Sequence, residues 1–222
     1  MGEYKILFID EVEADIRRFQ RYIHKKDIDK SFILEVSLPK NRLEDMLEFI
    51  YKNKFDAIVT DHKLHEENPD IEYDGIELVQ KIQTKIPYYP LFVLTSFDDE
   101  AIIQGDDVNI IYVKGLMDKD GENKAHATFL DKVKNQIIHY RKKIEDAEDR
   151  ILELIKKSET ELLTAQEEDE LIKLDNFIVS SLDKESMLPE QLKSHQNLEE
   201  LHKMINNTDK LLERLQRLSN ES

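Results

Sequence analysis

The chain has 222 residues, a formal net charge of -16, 36% charged residues and 40% hydrophobic ones. That acidity weighs against a phosphate-backbone partner and against anionic membrane surfaces, so neither nucleic acid nor membrane is expected as a partner. Cysteine is absent, which excludes disulfides, thiolate chemistry and cysteine-ligated zinc, and with no signal-peptide core or membrane-length apolar run the expected location is cytoplasmic.

Strands and helices alternate through the first 140 residues. Strand one is read at about Lys5–Ile9, and a helix follows over about Ala14–Lys25 with Ile16, Phe19, Tyr22 and Ile23 at helical spacing. Strand two spans about Phe32–Leu38 and is closed by Pro39. Asn41 is the expected cap of a helix carrying Leu43, Met46, Leu47 and Ile50. The run Phe55-Asp56-Ala57-Ile58-Val59-Thr60-Asp61 reads as a strand buried on both faces that ends on a carboxylate. A polar loop leads to Asp74-Gly75 and a helix with Ile76, Leu78, Val79 and Ile82, stopped by Pro87 and Pro90. Strand four is about Leu91–Thr95. A short helix near Glu100–Gln104 precedes strand five at about Asn109–Val113, and a final helix begins within Ala125–Leu130. Five such units imply a parallel sheet with helices on both faces.

Composition shifts near residue 140. All five glycines lie at or before Gly121, and Phe177 is the only aromatic beyond Tyr140. Two domains are therefore expected: a globular one over 1–140 and an all-α one over 141–222, a helical bundle or coiled coil. Ile137, Ile144 and Ile151 are seven apart, with Tyr140, Ala147 and Leu154 each three residues after one of them, which makes a heptad seam. The seam drifts where Ser158 and Glu161 occupy it. Thr164 with Glu167 forms a capping-box pattern at the start of a helix carrying Leu171, Leu174, Ile178 and Leu182. Ser186–Pro189 breaks that helix, and a last one carries Leu198, Leu201, Ile205, Leu212 and Leu215.

The candidate chemistry sits at the strand ends. Strand one runs into Asp10-Glu11, strand three ends on Asp61, strand four on Thr95-Ser96, and strand five on Lys114. An acid ending one strand is ordinarily a turn residue; the ordered set is what points to a site, because parallel sheets hold ligands at their carboxyl edge. Three carboxylates in one pocket repel unless a cation neutralises them, and oxygen-only donors select a hard ion, Mg²⁺. A carboxylate beside a lysine and a hydroxyl suits phosphoryl transfer to the carboxylate itself.

That ordered set, together with Asp74-Gly75-Ile76-Glu77-Leu78, resembles the receiver domain of two-component response regulators over roughly residues 3–140. The resemblance implies a flavodoxin-like, doubly wound five-stranded parallel α/β sheet in order 2-1-3-4-5. It implies Asp61 as phosphoacceptor. Asp10, Glu11, Asp61 and the Lys63 backbone carbonyl would be Mg²⁺ ligands, with Thr95 and Lys114 on the phosphoryl group. A partner histidine kinase or other phosphodonor would load the site. The chain departs from the family pattern at Gly115, where proline is usual, at Ile111, where an aromatic is common, and in a longer acidic loop with Glu66, Glu67, Asp70 and Glu72.

Phosphorylation of Asp61 is thus expected to switch a signalling protein that is not an enzyme in the ordinary sense. Its output would run through a protein partner of the helical tail or through a homodimer, rather than through DNA. A scaffold with a degenerate or phosphate-buffering receiver is the alternative, motivated by those departures. Phe97 beside Thr95 is expected to shield the acyl phosphate and slow its hydrolysis. His62 and His65 read as solvated loop residues, Asp118-Lys119-Asp120-Gly121-Glu122 as a turn, and His195 and His202 as positions on the last helix.

Overall fold

A computed structural model describes residues 4–66, 68–96, 108–118 and 128–182. The chain divides into two compact units, Met1–Glu145 and Asp146–Ser222. In the first, β1 (Tyr4–Ile9), α1 (Glu13–Lys26), β2 (Phe32–Ser37), α2 (Leu43–Lys52), β3 (Ala57–Asp61), α3 (Gly75–Lys85), β4 (Leu91–Thr95) and β5 (Ile111–Val113) follow one another. Then α4 (Phe129–Ser158) begins; the division falls within it. The five strands form one parallel sheet in order β2-β1-β3-β4-β5. This is the doubly wound, flavodoxin-like order that the resemblance to receiver domains implies.

Period-two alternation sorts the strand residues between two faces. Ile6, Phe8, Ala57, Val59, Phe92 and Leu94 meet Phe19, Tyr22 and Ile23 of α1 and Phe129, Val133 and Ile137 of α4. Phe8 stacks on Phe19 at 4.2 Å between centroids, and Phe129 meets Phe92 and Tyr112 edge-on at 5.4 and 5.2 Å. The alternate residues Leu7, Ile9, Ile58 and Val93 are equally buried, on the side where α2 and α3 bury Met46, Ile50, Leu78 and Ile82. Every residue of β3 and β4 is buried, which is why both read as unbroken apolar runs.

Three local expectations differ. The residue preceding α2 at the cap position is Arg42, without a side-chain cap bond, and not Asn41. Asn41 lies one residue too early, and its carbonyl instead accepts the Glu72 N–H at 3.1 Å. β5 is only three residues long, because Asn109 and Ile110 belong to a 3₁₀ turn (Val108–Ile110). The loop after β3 is anchored rather than purely polar: Leu64, Ile71 and Tyr73 are buried.

In the second unit, α4 runs to Ser158 and turns into α5 (Ala165–Leu182). The capping box at Thr164 forms as expected: the Thr164 backbone N–H donates to Glu167 Oε2 at 2.9 Å, and the Glu167 N–H donates back to Thr164 Oγ1 at 3.3 Å. Arg150 clasps Glu170 with two bonds of 2.9 and 3.0 Å, and Lys157 meets Glu167 at 2.7 Å, so the two helices fold back on each other. Ala147, Leu154 and Leu171 are buried and Ile151 is half-buried. No helix among the described residues is long and apolar enough to cross a membrane. The expected helix near Glu100–Gln104, Phe97, the Ser186–Pro189 break, the last helix and His195 and His202 lie outside the described residues.

Candidate functional site

A parallel sheet delivers all its carboxyl ends to one edge. Ile9 pairs with Thr60, Asp61 with Leu94 and Thr95 with Val113, so Asp10, Asp61, Thr95 and Lys114 lie at one level. All four are buried: Asp10 is 0%, Asp61 4%, Thr95 2% and Lys114 4% exposed. Their burial follows from their position, since each continues or ends a strand whose neighbours are already covered.

Lys114 is the hub. Its Nζ lies 2.9 Å from Asp61 Oδ1, 3.3 Å from Asp10 Oδ2 and 2.5 Å from Asp15 Oδ2. The Val12 N–H donates to Asp10 Oδ1 at 2.8 Å. Burial pushes the Asp61 carboxyl up to about 7; Lys114 opposes the shift and the Asp10 charge adds to it. Asp10 is raised as well, by burial, against the pull of Lys114 and the Val12 N–H. Burial lowers Lys114, but Asp61, Asp15 and Asp10 together outweigh that and hold its ammonium above the ordinary lysine range.

Asp15 was not singled out from the sequence. An acid in the first turn of a helix reads as a partner of the helix dipole. The signal was present, since Asp15 stands four residues before Phe19, at the head of the inward stripe of α1. Glu11 is turned elsewhere: its Oε2 accepts the Asn68 N–H at 3.2 Å. Lys63 follows Asp61 by two residues in the loop to α3, with its ammonium 3.9 Å from Glu66. His62 is buried, not solvated as expected, because its backbone is clamped on both sides: its N–H donates to the Leu94 carbonyl at 2.8 Å, and its carbonyl accepts the Gly75 N–H at 2.8 Å. His65 is exposed.

Among the described residues no three acidic or histidine side chains form a ready cation cluster, because Lys114 fills the space between the aspartates and Glu11 faces Asn68. The donor chemistry fits Mg²⁺ all the same. The groups are oxygen-only and lie together at the carboxyl edge of the sheet. Asp10, Asp61, Glu11 turned away from Asn68, and the Lys63 carbonyl would hold the ion.

The start of α3 buttresses the site. Asp74 caps it through bonds of 2.8 Å from the Ile76 and Glu77 N–H groups, and the Glu77 side chain closes the capping box. At Gly75 a Cβ would overlap the Asp61 carbonyl oxygen and press on Thr60 Cγ2, so only glycine allows this approach. The Asp-Gly pair therefore shapes the backbone carrying Asp61.

No protein-family model matches the chain, and no curated protein matches it. Solved structures are similar in fold. One is the non-phosphorylated receiver domain of the stress response regulator RcsB from Escherichia coli, at 16% identity and a TM-score of 0.41, covering 54% of this chain and 87% of that one. Another is the RcsB response regulator of Salmonella typhimurium, at 14% identity and a TM-score of 0.43, covering 84% and 95%. A third is RcsB from Salmonella enterica serovar Typhimurium bound to a promoter in the presence of phosphomimetic BeF3-, at 14% identity and a TM-score of 0.41, covering 85% and 94%. The strand order β2-β1-β3-β4-β5 of this chain is the one that the resemblance to response-regulator receiver domains implies. The expected exclusion of nucleic acid is corrected by the promoter-bound structures. A net charge summed over the whole chain does not describe any one face of it.

Proposed function

We propose that this chain is a signalling switch whose Asp61 accepts a phosphoryl group from a partner histidine kinase or another phosphodonor. The observation that carries the reading is the buried Asp61–Lys114 pair, 2.9 Å apart at the carboxyl edge of the sheet, with Asp10 beside it. Buried charges are costly, and three acids around one lysine add nothing a stable fold needs. An Asp61 oxygen attacks phosphorus; the new oxygen–phosphorus bond forms as the donor's breaks, and the leaving group keeps the electron pair. Lys114 meets the charge on the phosphoryl oxygens, and the Thr95 hydroxyl donates to one of them. Mg²⁺, when bound, supplies further charge neutralisation there. The product is a changed charge at the sheet edge, a signal rather than a released compound, and the helical region is the proposed output element.

Intact mass after incubation with acetyl phosphate and Mg²⁺ tests this. Wild type is expected to gain one phosphoryl group and Asp61→Asn none; equal labelling of the variant refutes the assignment.

A further inference from the structure

Lys114 carries one carboxylate more than this chemistry requires. We propose that Asp15 is a positioning residue that competes with the phosphoryl group for Lys114 and thereby slows loading of Asp61; this rests on the reading of Asp61 as phosphoacceptor. A lysine ammonium has three protons to donate. Three carboxylate oxygens already surround it, with Asp15 at 2.5 Å the nearest, ahead of Asp61 at 2.9 Å and Asp10 at 3.3 Å. A phosphoryl group arriving on Asp61 brings about two negative charges and three acceptor oxygens. Lys114 must release a present partner to meet them.

The partners are not equally free to leave. The Asp10 side chain is fully buried, and its second oxygen is held by the Val12 N–H. The Asp15 side chain is 21% exposed and has a second cation beside it, with Arg18 Nη1 at 3.7 Å from its Oδ1. Arg18 is itself fixed by Asp118, through Nε to Oδ1 at 2.7 Å and through a second bond from NH2 to Oδ2. Asp15 is therefore the group that yields, moving from Lys114 toward Arg18. Its hold on Lys114 is present before transfer and absent after it, so it opposes the transfer. Arg18 acts in the other direction, by offering Asp15 somewhere to go.

The two residues thus have opposite predicted signs. With limiting acetyl phosphate and Mg²⁺, the rate of mass gain is expected to rise about five- to tenfold in Asp15→Asn, the equivalent of one charge-assisted hydrogen bond. It is expected to fall at least about twofold in Arg18→Gln, a partial loss of that size. In a Lys114→Gln background, Asp15→Asn is expected to change nothing, whereas a merely structural role would persist there. If wild type labels and Asp61→Asn does not, an unchanged or slower Asp15→Asn overturns this inference alone. If wild type does not label, or Asp61→Asn labels equally, the phosphoacceptor reading falls and takes this one with it. Should Asp15→Asn fail to fold by circular dichroism, Arg18→Gln decides: slower labelling supports the competition, and unchanged or faster labelling overturns it.

Discussion

The strand-end cluster of the first unit and the helical hairpin of the second use charge in opposite ways. In the second, Arg150, Glu153, Glu170, Lys157 and Glu167 pair on the surface of a helical hairpin, at side-chain exposures from 19% to 68%. Water screens such pairs, and they cost little to form. In the first, Asp10, Asp61 and Lys114 pair at side-chain exposures of 0%, 6% and 5%, where desolvation is expensive. A hairpin's surface pairs select a fold. A buried, unbalanced cluster at a sheet edge selects a chemistry.

This contrast is open to direct attack. The largest effect is expected from Lys114→Met, which leaves Asp10 and Asp61 buried without a counter-ion. A loss of about 3–5 kcal/mol at pH 8 is expected in urea unfolding. A loss under about 1 kcal/mol would mean that the cluster is already solvated. Next comes Gly75→Ala, expected to cost about 1–3 kcal/mol by pushing a methyl group into the Asp61 carbonyl. The same melts, with phosphoryl labelling beside them, check whether the site is displaced as well.

The pH dependence has a definite sign. The Asp61 carboxyl is raised from 3.8 to about 7 by burial, so the folded state holds the proton more tightly than the unfolded chain. That contribution is fully present below about pH 4 and is lost as pH rises through about 7. Thermal melts of wild type should therefore fall behind those of Asp61→Asn between pH 4 and 8, and Mg²⁺ should narrow the gap. A gap constant with pH would place the Asp61 titration elsewhere. The smallest effect is expected from Arg150→Ala in the second unit, with a melting temperature close to wild type. A drop as large as that of Gly75→Ala would erase the distinction between the two units.

Much of this architecture was legible in the chain. β1, β3 and β4 announce themselves as apolar runs because both sheet faces are covered, and their terminal residues Asp10, Asp61 and Thr95 follow from that alone. What was hidden depended on direction rather than position. Nothing in Glu11 shows that its carboxylate faces the Asn68 amide, and Asp15 looks like any acid in a first helical turn. His62 looked like a loop residue because it is one; its burial comes from backbone bonds to Leu94 and Gly75 that no side-chain pattern encodes. Asn41 has the right chemistry for a cap and stands one residue from the right place. The charge-based exclusion of nucleic acid is weak for a related reason, since composition carries no geometry.

The central claim is that the phosphoryl group resides on Asp61. Reduction of the acetyl-phosphate-treated protein with borohydride, followed by peptide mass mapping, converts an aspartyl phosphate to homoserine and locates it. Homoserine is expected at position 61 and at no other aspartate. Homoserine at Asp10 or Asp15, or phosphate on a histidine, would contradict it.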